Sequence, residues 1–264
     1  MNHQAFSDLK ALILDMDGVL WRADQAIGDL PQIFRQIEAR HLKVILATNN
    51  STRSVQQYQQ KLAGFGVQIE AWQVINSSQA TAHYLKERYQ NGGAVYVVGE
   101  DGLFQALEEK GFHHDKKGAQ AVVVGMDRKI TYDKLKEATL LIRSGAPMIA
   151  TNPDRTFPTP EGLVPGAGSI IAALEAASDV KAFVVGKPSK EMFKVALERL
   201  GTSTSETLAV GDRLETDIAG AQAMGCKTAL VLSGVTTEAA AHAWQPAPDF
   251  IFSDLTELVA SLPE

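Results

Sequence analysis

At 264 residues with 45% hydrophobic content, the chain can bury one large core or two ordinary ones, and it reads as folded and globular. A formal charge of −6, from 25 basic and 31 acidic residues with no basic block, argues against a nucleic-acid or anionic-membrane surface; an anionic ligand would have to be drawn by a local site. No segment approaches the ~20 apolar residues of a membrane span. Residues 1–4 lack the basic and apolar regions of a signal peptide, and the single cysteine, Cys226, cannot form an internal disulfide, which fits a cytoplasmic protein and a buried structural thiol.

The chain opens on an aliphatic run, residues 11–14, that reads as a buried parallel strand and stops at Asp15-Met16-Asp17-Gly18. In open α/β sheets ligands bind beyond the carboxyl ends of the strands, which is where Asp15 and Asp17 fall. Two like charges this close are tolerated when a cation lies between them or one is protonated, so the pair points to a hard ion such as Mg²⁺; an ordinary Asp-Gly turn is the plainer reading. Asp29-Leu30-Pro31 predicts a helix start, with Ile33, Phe34 and Ile37 turned inward. A second strand, residues 43–47, runs into Thr48-Asn49-Asn50-Ser51-Thr52 and then a helix burying Val55, Tyr58 and Leu62. Such a junction offers hydroxyls, amides and N–H groups to an anion, or simply caps the helix through Ser51 or Thr52.

Residues 77–178 continue the alternation, with strands over 94–99, 121–125 and 147–150 and helices over 78–89, 103–110 and 132–143, but with no acidic pair at a strand end. Asp101-Gly102 reads as a helix cap and turn, and His113-His114 as part of a polar surface loop. Residues 151–162 are too rich in proline for a helix or a central strand and predict a long polar loop, either facing the substrate, with Asn152, Asp154 and Arg155 as specificity candidates, or serving as a plain connector. A third core strand, residues 181–186, delivers Lys187 at its end, where a cation could neutralise phosphate; on its own it would pass for a solvated charge. The fourth, residues 207–211, ends in Asp212, with Asp217 five residues on in the first turn of a helix over 218–224, placed to cap or orient. Strands at 229–232 and 250–252 complete the sheet.

Taken together, Asp15-Met16-Asp17-Gly18-Val19-Leu20-Trp21, Thr48-Asn49-Asn50-Ser51, Lys187-Pro188 and Gly211-Asp212 followed by Asp217 resemble the motifs of the haloacid dehalogenase-like hydrolases. The resemblance is to the branch holding 4-nitrophenyl, phosphoglycolate and pyridoxal phosphatases, and it spans nearly the whole chain. It implies an α/β fold: a Rossmann-like core with a parallel sheet, formed by residues 1–76 and 179–264, interrupted by a C2-type α/β cap over residues 77–178. It also implies a Mg²⁺-dependent phosphatase of small phosphorylated metabolites working through an aspartyl-phosphate.

By position, Asp15 resembles the nucleophile, and Asp17 the acid that protonates the leaving oxygen and later deprotonates water. Asp15, the Asp17 carbonyl and Asp212 would hold Mg²⁺, with Asp217 behind them. Thr48, Asn49 and Asn50 would bind phosphate, Lys187 would bridge phosphate and nucleophile, and a homodimer would form through the cap. A dehalogenase would need no acid at position 17, so its presence favours phosphoryl transfer. Two other readings are a receiver-like phospho-acceptor, which needs neither Asp17 nor a cap, and a phosphotransferase to an acceptor other than water.

Overall fold

The computed structural model describes residues 6–159 and 161–263; the N-terminal residues 1–4 discussed above and Pro160 of the expected loop lie outside the described residues. The chain forms two compact units: residues 1–48, 55–75 and 188–264, and residues 49–54 and 76–187.

The first unit begins with β1 (Ala11–Leu14), a small antiparallel ribbon of β2 (Trp21–Arg22) and β3 (Gln25–Ala26), α1 (Leu30–Ala39), β4 (Lys43–Thr48), α2 (Val55–Gly64) and β5 (Val74–Asn76). The Asp29 side chain caps α1 by accepting from Gln32 N–H, as the Asp-Leu-Pro sequence predicts. β1 pairs in parallel with strands on both sides and is buried at every position, as in a parallel sheet whose two faces are covered by crossover helices, which explains an aliphatic run without alternation.

The second unit contributes α3 (Ser77–Arg88), β6 (Gly93–Val98), α4 (Asp101–Glu108), β7 (Phe112–His114), β8 (Val122–Val124), α5 (Tyr132–Arg143), β9 (Met148–Ala150), β10 (Thr156–Thr159), β11 (Gly162–Pro165), α6 (Ala167–Ser178) and β12 (Phe183–Val184). Its parallel sheet runs β12-β9-β8-β6-β7, and its core gathers Val98, Val122, Val124, Met148, Ile171 and Leu174.

Returning to the first unit, the chain forms α7 (Lys190–Leu200), β13 (Thr207–Gly211), a π-helical turn (Leu214–Ile218), α8 (Ala219–Met224), β14 (Lys227–Val231), α9 (Glu238–Ala243), β15 (Phe250–Phe252) and α10 (Leu255–Ser261). The six-stranded order is β15-β14-β13-β1-β4-β5, so β1 and β13, distant in sequence, are neighbours at its centre. Among the described residues no helix is long and apolar enough to cross a membrane. Cys226 is buried, and that burial pushes its thiol up to about 11, as a structural thiol requires.

Four expectations need correction. Residues 181–186 are not a strand of the six-stranded sheet: only Phe183 and Val184 pair, with Ile149 and Ala150, at the edge of the second unit's sheet. An aliphatic run reveals a strand but not its partner. The long loop over 151–162 contains β10, paired antiparallel with β11; Pro158 fits because a two-stranded ribbon is all edge. His113 and His114 belong to an edge strand, β7, in which His114 Nδ1 accepts a 3.0 Å hydrogen bond from Val97 N–H. Asp101 is the first residue of α4; the capping position is Glu100.

Candidate active site

Asp15 continues the β1 ladder, donating its N–H to the Val210 carbonyl at 2.9 Å, so its side chain leaves the sheet at the strand's carboxyl end. The chain then turns tightly: Leu20 N–H donates to the Met16 carbonyl and Gly18 N–H to that of Trp21, both at 2.8 Å. Gly18 sits at φ +88° in this turn, and a Cβ there would stand 2.5 Å from Asp212 Oδ2, so glycine is required for both conformation and space. Asp17 is exposed and accepts a 2.8 Å hydrogen bond from the indole N–H of Trp21, itself buried, with Lys61 Nζ 4.5 Å over its ring.

Asp212 follows β13 and is 1% exposed; its Oδ2 accepts from Val235 N–H at 2.7 Å. The Ser233 hydroxyl, just past β14, donates to the Gly18 carbonyl at 2.7 Å, tying that strand end to the turn after β1. Asp217 lies in the π-helical turn, also buried, and its Oδ2 accepts from Arg213 N–H at 3.1 Å. The first unit thus brings carboxylate oxygens of Asp15, Asp212 and Asp217 within 4.8 Å of one another. Asp217, expected to stand behind the others, belongs to this cluster, because the wide π turn carries it back to the strand end. The carboxylate of Asp17 lies outside it. Three carboxylates so close repel unless a cation or protons intervene, and an all-oxygen donor set suits a hard divalent ion.

Thr48 ends β4, 3% exposed. The side chains of the next two residues are turned to internal work. The Asn49 amide donates to the Lys187 carbonyl at 2.9 Å, and Asn50 Oδ1 accepts from both the N–H (2.9 Å) and the hydroxyl (2.7 Å) of Thr52, a local Asx turn. Neither Ser51 nor Thr52 precedes a helix directly, since α2 begins at Val55; the Ser51 carbonyl instead accepts from Ser78 Oγ. Lys187 is 3% exposed, far from a solvated surface charge.

Asn152, expected to face substrate, is 4% exposed and donates to the Asn49 carbonyl at 2.8 Å, while its Oδ1 accepts from Asp154 N–H. Arg155 is exposed, its carbonyl held by Ser169. No role is read from the sequence for Ser77, Gly186 or Ser233, and Trp21 enters only as the end of the first motif; the strand before Ser77, β5, is too short to stand out.

Residues 12–113 match the family described as haloacid dehalogenase-like hydrolase, and residues 184–258 one described as HAD-hydrolase-like. The chain is 38% identical to a 5'-nucleotidase of Bacillus subtilis over 86% of this chain and 88% of that protein. It is 35% identical to an acid sugar phosphatase of Staphylococcus aureus over 96% and 98%, respectively. A solved p-nitrophenyl phosphatase of Archaeoglobus fulgidus superposes with a TM-score of 0.91 at 33% identity, covering 97% of this chain and all of that one.

Proposed function

This chain belongs to the haloacid dehalogenase-like hydrolases and is a phosphatase, and from that premise we propose that it is a Mg²⁺-dependent hydrolase of small phosphate monoesters acting through an aspartyl-phosphate on Asp15. The observation that carries this reading is the Asp15, Asp212 and Asp217 cluster at the carboxyl ends of two adjacent strands. The relatives' names differ in the group esterified, a nucleotide, a sugar or nitrophenol, and share the phosphate monoester.

In this reading Asp15 attacks phosphorus, the bond from phosphorus to the leaving oxygen breaks, and Asp17 supplies the proton that the leaving oxygen takes. Water then attacks the aspartyl-phosphate while Asp17 accepts its proton, releasing phosphate and restoring Asp15. Trp21 holds Asp17 in orientation through its indole N–H. Lys187 offsets phosphate charge, and Thr48 with the backbone of the following residues binds the phosphate oxygens. Asp15, Asp212 and Asp217 would hold Mg²⁺, which when bound lessens the repulsion between nucleophile and phosphate. Residues 1–76 and 179–264 would be the catalytic core and residues 77–178 the cap that selects the substrate, working in the cytoplasm, with a homodimer through the cap as the assembly.

Purified protein assayed on a panel of phosphate monoesters should turn over only with Mg²⁺ and lose activity in EDTA; full turnover in EDTA would remove the metal. Asp17→Asn should slow alkyl phosphates at least ~10-fold more than nitrophenyl phosphate, because poor leaving groups most need a proton. Equal losses would take the acid role from Asp17.

A further inference from the structure

Within the second unit, one peptide group is held more tightly than capping or packing requires. The Asn49 carbonyl accepts two buried hydrogen bonds, from Ser77 Oγ at 2.6 Å and Asn152 Nδ2 at 2.8 Å. Its side chain reaches the Lys187 carbonyl at 2.9 Å, and Asn152 Oδ1 accepts from Asp154 N–H at 3.1 Å. Gly186, beside Lys187, completes the arrangement: a Cβ there would collide with the Thr151 carbonyl and stand 2.7 Å from Asn49 Oδ1. Three other chain segments therefore meet on Asn49.

The peptide joining Asn49 to Asn50 is trans, and in a planar trans peptide the C=O and the following N–H point in opposite directions. Drawing the Asn49 carbonyl inward thus directs the Asn50 N–H the other way. A phosphate oxygen bound at the end of β4 is recognised by donors, and a backbone N–H is useful only if its peptide plane is fixed beforehand. Asn152 is suited to this because it donates on one side and accepts on the other, linking the segment after β9 to the peptide it orients.

We propose that Asn152 is a positioning residue for phosphate binding: together with Ser77 it fixes the Asn49–Asn50 peptide plane so that the Asn50 N–H is aimed at a phosphate oxygen, and it contacts no part of the leaving group. The inference rests on the phosphatase reading and narrows it, because it assigns Asn152 to the phosphate common to every substrate.

The test is kinetic and direct. Asn152→Asp keeps the shape and the acceptor but removes the donor to Asn49. Supporting partners of this kind typically change activity ~10–100-fold, and kcat/KM should fall by such a factor equally for nitrophenyl, sugar and nucleoside phosphates. The inhibition constant for inorganic phosphate should rise in parallel, and Ser77→Ala, which removes the other donor from the same carbonyl, should show the same substrate-independent pattern. A loss that varies strongly with the leaving group would overturn the proposal by making Asn152 a specificity contact, and so would unchanged kinetics. If Asn152→Asp does not fold, as judged by circular dichroism, Ser77→Ala decides by the same criteria. If the wild type hydrolyses nothing in the panel, the phosphatase reading fails separately. Calorimetric titration of inorganic phosphate then decides the inference: weaker binding by the variant supports it, and equal or undetectable binding by both proteins overturns it.

Discussion

At the ends of β1 and β13, Asp15, Asp212 and Asp217 crowd their carboxylate oxygens within 4.8 Å, whereas just past β6 and β8 in the other sheet Glu100 and Asp127 each pair with a cation. Arg128 grips Glu100 through two 2.7 Å hydrogen bonds, holding that carboxyl below its ordinary value, and Lys134 Nζ lies 2.6 Å from Asp127. Both sheets are parallel α/β layers with acids at their carboxyl ends, so the architecture alone does not separate catalysis from support. The difference lies in the neighbours: Glu100 and Asp127 are each matched to a cation, while Asp15, Asp212 and Asp217 also crowd one another, an arrangement that a bound cation or protons stabilise.

The comparison breaks most sharply at Asp212. Asp212→Asn should cut activity ~10–100-fold or more and raise the Mg²⁺ concentration needed for half-maximal rate; an unaltered metal requirement would return the cluster to a structural role. Next comes Gly186→Ala, where the added methyl has no room beside Thr151 and Asn49. We expect ~1–3 kcal/mol of lost stability in urea unfolding, with phosphate inhibition weakened as well.

A smaller effect lies at His114, ringed by Tyr96, Phe104, Asp115 and Lys134. Burial holds its imidazole below the ordinary value. The unfolded chain therefore takes up this proton more readily, so stability should fall as pH drops below ~6.5, the unfolded value, and continue falling to the lower folded one. His114→Asn, which can keep an acceptor for Val97, should flatten the slope of stability against pH in that window. An identical slope would remove His114 from the acid sensitivity. The smallest effect is expected for Arg128→Ala: Arg128 is 68% exposed, and a surface pair of this kind contributes at most ~1 kcal/mol. Activity should stay unchanged, and a large loss would mean that the paired acids of the second unit do more than support it.

Much of this was legible in the residues alone. Abrupt transitions from aliphatic strand to carboxylate marked Asp15 and Asp212, and the spacing of Ile33 and Ile37 or of Val55, Tyr58 and Leu62 gave helices with the expected buried faces. What failed to show was pairing. Phe183 and Val184 carry the pattern of any short strand, and only their hydrogen-bonding to Ile149 and Ala150 assigns them to the second sheet. Asn152 looked like a loop residue facing ligand because amide side chains occur in polar loops for many reasons; its 4% exposure and its bond to Asn49 depend on a partner a hundred residues away. The closeness of Asp217 to Asp15 and Asp212 was hidden for a local reason, since ordinary α-helical spacing would carry it away from the strand end and the π turn does not.

The central claim is that Asp15 is the nucleophile. It is tested most directly by mixing enzyme with substrate and Mg²⁺, quenching during turnover, reducing with borohydride and locating the modified residue by mass spectrometry. An aspartyl-phosphate is reduced to homoserine, so the account predicts homoserine at position 15 and none in Asp15→Asn, which should also lack turnover. Full turnover by Asp15→Asn, or a modified residue elsewhere, would contradict it.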